Sequence, residues 1–236
     1  MSDSKKIFIP AAVFIAAEAA AWVSVQFTDG NIQTAICYSS VLCALAFSSY
    51  LLFINARGLS TVAGILFTAF ADFCLVVLSP SPRVIAMLFF SVAQLCYAVR
   101  LALSESDKKA VRYHIIARGS AALVLELAML AVLGSSADAL TVITMFYFAN
   151  LAVSLFIAFF REKNILFQIG LLCFILCDIF VGLGVLISDY ITVSETSFLY
   201  KITHTGINII WFFYIPSQTL ISLSILKNSK RTKINN

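Results

Sequence analysis

The sequence predicts an all-α, polytopic membrane protein of eight transmembrane helices, and three observations carry that prediction. Hydrophobic residues make up 61% of the 236 residues and charged residues only 12%, with a mean hydropathy of +0.97, far from the composition of a soluble domain. The apolar residues fall into eight runs, each near the roughly 20 residues that a span needs. Those runs are long and unbroken rather than alternating over about ten residues, as the strands of a membrane barrel would.

The first run, 7–27, follows Lys5 and Lys6. Its basic flank and small residues resemble a signal peptide, but Glu18 inside the apolar stretch does not suit one, and cleavage would leave seven spans. Runs at 35–54, 61–79 and 84–103 complete a first half. After the polar linker 104–112, runs at 113–133, 139–160, 165–187 and 203–226 form a second half, followed by a basic tail at 227–236. With the N-terminus in the cytoplasm, Lys5, Lys6, Arg57, Arg100, Lys108, Lys109, Arg112, Arg161, Lys163, Lys227, Lys230, Arg231 and Lys233 fall inside. Only Arg83 and Lys201 fall outside, and Arg118 lies within a span. That distribution satisfies the positive-inside rule and puts both termini in the cytoplasm. The net charge of +4 then reflects topology and contact with anionic membrane lipids, not a nucleic-acid partner.

Two segments repeat. Residues 64–72 read GILFTAFAD and residues 170–178 read GLLCFILCD, an offset of 106; downstream, 89–94 read FFSVAQ and 213–218 read FYIPSQ. Glu18 and Glu126 interrupt apolar runs 108 residues apart. Each half holds four spans, an even number, so the halves enter the membrane in the same direction: two parallel four-helix repeats, about 7–103 and 113–226, in one transmembrane domain. The longer polar segment 188–201 accommodates the wider Asp-to-Gln spacing of the second half.

A carboxylate within a span costs about 2.5–3.5 kcal/mol on insertion scales, so such groups face a bundle interior and mark functional sites. Asp72, Asp178, Glu18, Glu126, Gln94 and Gln218 all fall near the middle of their runs. Tyr97 and Tyr214 share helix faces with the glutamines by their spacing of three and four, and Asn150 adds a polar group in the sixth run. The expectation is a polar chamber at mid-membrane, walled by phenylalanine and leucine. Removal from water disfavours the charged form of a carboxyl, and a neighbouring carboxylate disfavours a second charge. One protonated and one ionised carboxyl serve general acid–base hydrolysis; the same pair serves a proton relay in a transporter.

The segment FTAFADFCLVVLSPSPRVIAMLFFSVAQLCYAVRL, with IGLLCFILCDIF and WFFYIPSQTLI after it, resembles the signature of the YhhN-like lysoplasmalogenase family of multi-pass membrane proteins. The resemblance covers about a third of the chain, in order. It implies hydrolysis of the vinyl ether of a lysophospholipid substrate to a fatty aldehyde and a glycerophospho-head group. Asp72 and Asp178 would be the acid–base pair, and Gln94, Tyr97, Tyr214 and Gln218 would orient water and substrate, with no metal or organic cofactor. The chain departs from the family pattern at several places. Ala71 replaces a glycine, Cys177 a serine, and Gln94 a histidine, and the second run lacks a Lys-Pro pair near 36–42. A proton-coupled transporter and a catalytically silent lipid-binding protein remain the alternatives.

The other polar residues have plainer readings. Glu18 and Glu126 are read first as interhelical hydrogen-bonding groups and secondarily as site residues. Arg118 is read as snorkelling to the interface, with a lipid phosphate as its other partner. His114 and His204 lie near opposite faces, and no GxSxG elbow supports a serine triad. The six cysteines, Cys37, Cys43, Cys74, Cys96, Cys173 and Cys177, form no CxxC pair and read as buried thiols. Pro216 is expected to kink the last helix, its freed carbonyl satisfied by a neighbouring polar group. Trp22 and Trp211 read as packing or interface residues.

Overall fold

The computed structural model describes residues 3–55, 58–105, 107–190, 194, 197, 200–201 and 207–228, and no strand occurs among them. Arg57, His204, Lys230, Arg231 and Lys233, each given a place by sequence, lie outside the described residues. Eight helices are long and apolar enough to cross a membrane. They are α1 Asp3–Ser24, α2 Gly30–Asn55, α3 Leu59–Asp72, α4 Arg83–Ser104, α5 Lys108–Leu133, α6 Ala139–Arg161, α7 Ile165–Val185 and α8 Ile209–Asn228.

Local chemistry sets several boundaries. Asp138 caps α6: its carboxylate accepts the Thr141 N–H at 2.9 Å while the Thr141 hydroxyl accepts the Asp138 N–H at 2.9 Å, a reciprocal capping box. Asp107 caps α5 by accepting the Lys109 N–H at 2.8 Å. The first run ends earlier than its hydropathy suggests, at Ser24. There Gln33 donates to the carbonyls of Val25 and Thr28 at 3.1 and 2.7 Å and closes the turn into α2. The third run does not stay α-helical to 79. A π-helical turn, Phe73–Val77, begins directly after Asp72, and Leu78 is extended. A second π-helical turn, Leu186–Tyr190, extends α7, and Arg83 at the start of α4 pairs with Asp189 at 2.5 Å.

The most extensive helix contacts are α3 with α4 and α7 with α8. Helix α8 also packs on α1, α2 and α3, and α6 packs on α4, α5 and α7. The core therefore gathers where α3, α4, α7 and α8 meet, and Leu51, Ile65, Leu101, Phe167, Phe174 and Ile221 are fully buried in it. Helix α5 lies on the flank of α6, with only Ala110 and His114 buried. The exterior is studded with exposed Phe, Leu and Ile side chains, the surface that a bilayer solvates.

The position of α5 corrects one expectation. Glu126 is only half-buried on this peripheral helix, so it does not face the interior beside Asp72 and Asp178. Its sequence counterpart Glu18 is 2% exposed and accepts a hydrogen bond from Ser40 at 2.5 Å. The matched glutamates therefore have unlike environments, because α1 packs on α2 and α8 while α5 packs chiefly on α6.

Candidate functional site

Asp72 is placed by the face of α3 that carries Gly64, Thr68 and Asp72 at four-residue steps, which align along one side of a helix. At Gly64 the absence of a side chain admits the ring of Tyr97 from α4; a Cβ there would stand 2.4 Å from its Cε1. Helix α7 repeats the arrangement with Gly170, Phe174 and Asp178. A Cβ at Gly170 would stand 2.8 Å from Ile221 Cγ1 and 3.1 Å from the Ile221 backbone nitrogen of α8. Each glycine thus lets a neighbouring helix approach two turns from its aspartate.

Both aspartates accept a tyrosine hydrogen bond at Oδ2. Tyr214 of α8 donates to Asp72, and Tyr147 of α6 donates to Asp178. Tyr147 and Tyr214 are joined through two phenylalanines. Tyr147 lies 5.7 Å from Phe90, Phe90 lies 6.2 Å from Phe174, and Phe174 lies 5.7 Å edge-on to Tyr214. Phe90, Phe174, Tyr147 and Tyr214 thus form a chain of aromatic rings linking the two pairs.

The position of Tyr214 rests on Pro216. Proline has no N–H to offer the carbonyl four residues earlier, which here belongs to Phe212. The Trp22 indole N–H donates to that carbonyl at 2.9 Å, so α1 supplies the hydrogen bond that α8 lacks. Trp211 packs perpendicular to Tyr214 at 5.1 Å and buttresses the phenol from the other side.

The remaining expected site residues divide. Gln94, Tyr97 and Gln218 are fully buried, yet they make no hydrogen bond to either aspartate. Both amide atoms of each glutamine and the Tyr97 hydroxyl lack a hydrogen-bond partner. Asn150 and Arg118 belong to a different cluster. Arg118 donates to the Asn150 carbonyl and the Ser154 hydroxyl, each at 2.9 Å, and Asn150 donates to the Phe146 carbonyl at 2.9 Å. Arg118 therefore turns inward onto α6 rather than snorkelling, because α6 offers acceptors that the lipid chains do not. His114 lies 3.7 Å from Glu105, remote in sequence and in contacts from the aspartates. Among the described residues no three His, Cys, Asp or Glu side chains converge as a metal site would require.

Two participants had weak sequence signals. Tyr147 is a lone phenol in an apolar run, and its spacing of three from Asn150 was its only mark. Arg100 counts as an interfacial cation by position, but it is 4% exposed and its guanidinium lies 3.7 Å over the Phe167 ring.

Fold and site together define a polytopic helical membrane protein that encloses two carboxylate–tyrosine pairs. The chain belongs to the YhhN family, the family of lysoplasmalogenases; the family model matches residues 32–225. That match takes in both aspartates and both tyrosines and leaves Glu18 outside. No curated protein and no solved structure matches the chain.

Proposed function

We propose that the chain is an intramembrane hydrolase that cleaves the vinyl ether of lysoplasmalogen-type lysophospholipids, with Asp72 and Asp178 as its acid–base pair. The observation that carries this reading is the pairing of two interior carboxylates, each held by one tyrosine, in a chain of the lysoplasmalogenase family. One carboxyl, protonated, delivers its proton to the alkene carbon remote from the ether oxygen, leaving an oxocarbenium ion at the adjacent carbon. The other carboxylate takes a proton from water as the water oxygen bonds to that carbon. The resulting hemiacetal loses its bond to the glycerol oxygen, which takes up a proton, and the hydroxyl becomes the aldehyde carbonyl. One water is consumed, and a fatty aldehyde and a glycerophospho-alcohol leave.

The tyrosines position the carboxyls. Each phenol occupies Oδ2, and Oδ1 carries no hydrogen bond among the described residues, so one oxygen of each group is available to exchange a proton. Phe90 and Phe174 stand between the pairs with apolar rings, chemistry suited to an alkenyl chain. Gln94 and Gln218, with both amide atoms unpartnered, are the groups that orient water. The working arrangement is two parallel four-helix repeats with both termini on the basic, cytoplasmic side, as the lysine and arginine distribution favours.

The deciding experiment is release of long-chain aldehyde from a 1-alkenyl lysophospholipid by purified protein in detergent, against the 1-acyl lysolipid. The expected result is aldehyde from the alkenyl lipid alone, lost in Asp72→Asn and in Asp178→Asn. A folded parent protein that releases none overturns the reading, and flux driven by a pH gradient across vesicles would then favour the transporter.

A further inference from the structure

Buried polar atoms without a hydrogen-bond partner are scarce in folded proteins, and each calls for an explanation. One group of them falls along α4 and α8. Gln94 and Gln218 leave both amide atoms unpartnered, Tyr97 its hydroxyl, and Arg100 its Nε and one terminal nitrogen. The first three residues are 0% exposed and Arg100 is 4% exposed.

The antiparallel register of α3, α4 and α8 orders them. Gly64 meets Tyr97, and Thr61 accepts from Arg100 at 3.0 Å, so three residues down α3 correspond to three residues up α4. The same counting places Gln94 level with Phe67. On α8, Tyr214 meets Asp72 and Ser224 accepts from Arg100 at 2.6 Å, which places Gln218 level with Phe67 and Thr68. The two glutamines therefore stand about 6–7.5 Å from Asp72 along the bundle; Tyr97 and then Arg100 follow at steps of about 4.5 Å each. The line ends beside the turn between α6 and α7. There Asn164, itself buried, donates to the Ser224 carbonyl at 2.6 Å and leaves its own amide oxygen unpartnered.

We propose that this line between α3, α4, α7 and α8 is a water path, leading from the membrane face that carries residues 162–164 to Asp72. Its chemistry selects water over other occupants. The unpartnered atoms include both donors and acceptors, which a molecule that both gives and takes hydrogen bonds satisfies. Their steps match the reach of a water molecule bridging two groups. Among the described residues, this register places no carboxylate between Arg100 and Asp72 to hold a metal cation. A lipid hydrolase that takes its substrate from the bilayer needs its second substrate, water, from another direction. That use of the path rests on the hydrolase reading; the path itself does not.

Hydroxyl-radical footprinting of the purified protein in detergent tests the path, because radiolysis of bound water marks the side chains it touches. Tyr97 is compared with Phe47, which is equally enclosed but stacked 4.2 Å on Phe14 in an apolar cluster. The expected result is labelling of Tyr97 severalfold above Phe47, because water ordered on buried polar groups touches the tyrosine and not the apolar cluster; labelling no higher than Phe47 overturns the proposal. In Arg100→Met the mouth is closed by an apolar chain. Tyr97 labelling should fall towards that of Phe47, whose own low labelling reports intact packing. Unchanged Tyr97 labelling in a folded Arg100→Met protein overturns the assigned entrance. A labelled Tyr97 without aldehyde release keeps the path and removes the hydrolase; aldehyde release without a labelled Tyr97 does the reverse.

Discussion

Asp72 stands 4% exposed on α3, held by Tyr214 from α8, whereas Asp178 stands half-buried on α7, held by Tyr147 from α6. Their own helices treat them alike, with a glycine two turns earlier that admits a neighbour. What differs is the company. Asp72 is enclosed because α8, at the centre of the bundle, also packs against α1, α2 and α3. Asp178 lies on a helix whose outer flank, with Ile175 one turn away, opens with α6 onto an apolar cleft. Similar sequence thus places two carboxylates equivalently on their helices, and the surrounding helices give them unequal access. That inequality suits a reaction in which the two groups meet lipid and water from different sides.

The largest expected effect concerns whether the two centres act as one. Asp72→Asn and Asp178→Asn should each lower aldehyde release by about a hundredfold or more, the scale of general acid–base catalysis, with the folded fraction unchanged by size-exclusion profile. Retained activity in either variant would break the pair and leave a single working carboxyl. Next come the glycines. Gly64→Ala and Gly170→Ala should each lose about 1–3 kcal/mol through overpacking, read by thermal unfolding in detergent. The larger loss is expected at Gly170, where the obstructing atoms include the Ile221 backbone nitrogen, which cannot rotate aside.

The tyrosines sharpen the comparison of burial. Tyr214→Phe leaves a fully enclosed Asp72 without its donor and should cost about 1–3 kcal/mol. Tyr147→Phe should cost less, because half-buried Asp178 can find other partners; equal losses would mean that the exposure difference carries no energetic weight. The smallest effect lies at the membrane surface. Asp138→Ala removes the cap of α6 and should cost about 1 kcal/mol. The Thr141 backbone N–H holds the Asp138 carboxyl below its ordinary range. Its contribution is therefore present at neutral pH and is lost as pH falls through that lowered value, so parent and variant should converge in acid.

Hydropathy alone locates all eight spans, and the matched GILFTAFAD and GLLCFILCD segments point to both aspartates. Tyr214 was also marked, by its distance of four from Gln218. Tyr147 was not, because a phenol in an apolar run looks the same whether it packs or donates. Glu126 misled for a related reason: its spacing from Glu18 matches the repeat, but α5 has no helix outside it to complete its burial. Arg100 and Arg118 read as interfacial cations because depth along a helix was visible and the acceptors facing them, Thr61, Ser224 and Ser154, were not.

Residue order alone specifies a bundle of helices long and apolar enough to span a membrane, with a carboxylate inside each of two similar segments. Those properties are local: the apolar length of a run and the cost of a charge within it depend on no other part of the chain. Long-range packing sets the rest: Tyr214 meets Asp72 across 142 residues, Trp22 supplies the hydrogen bond Pro216 withholds, and buried polar atoms of α4 and α8 are left without partners. Such pairings depend on which helix faces which, and helix–helix contact is set by the fit of whole surfaces, with small residues such as Gly64 and Gly170 marking where two backbones draw close.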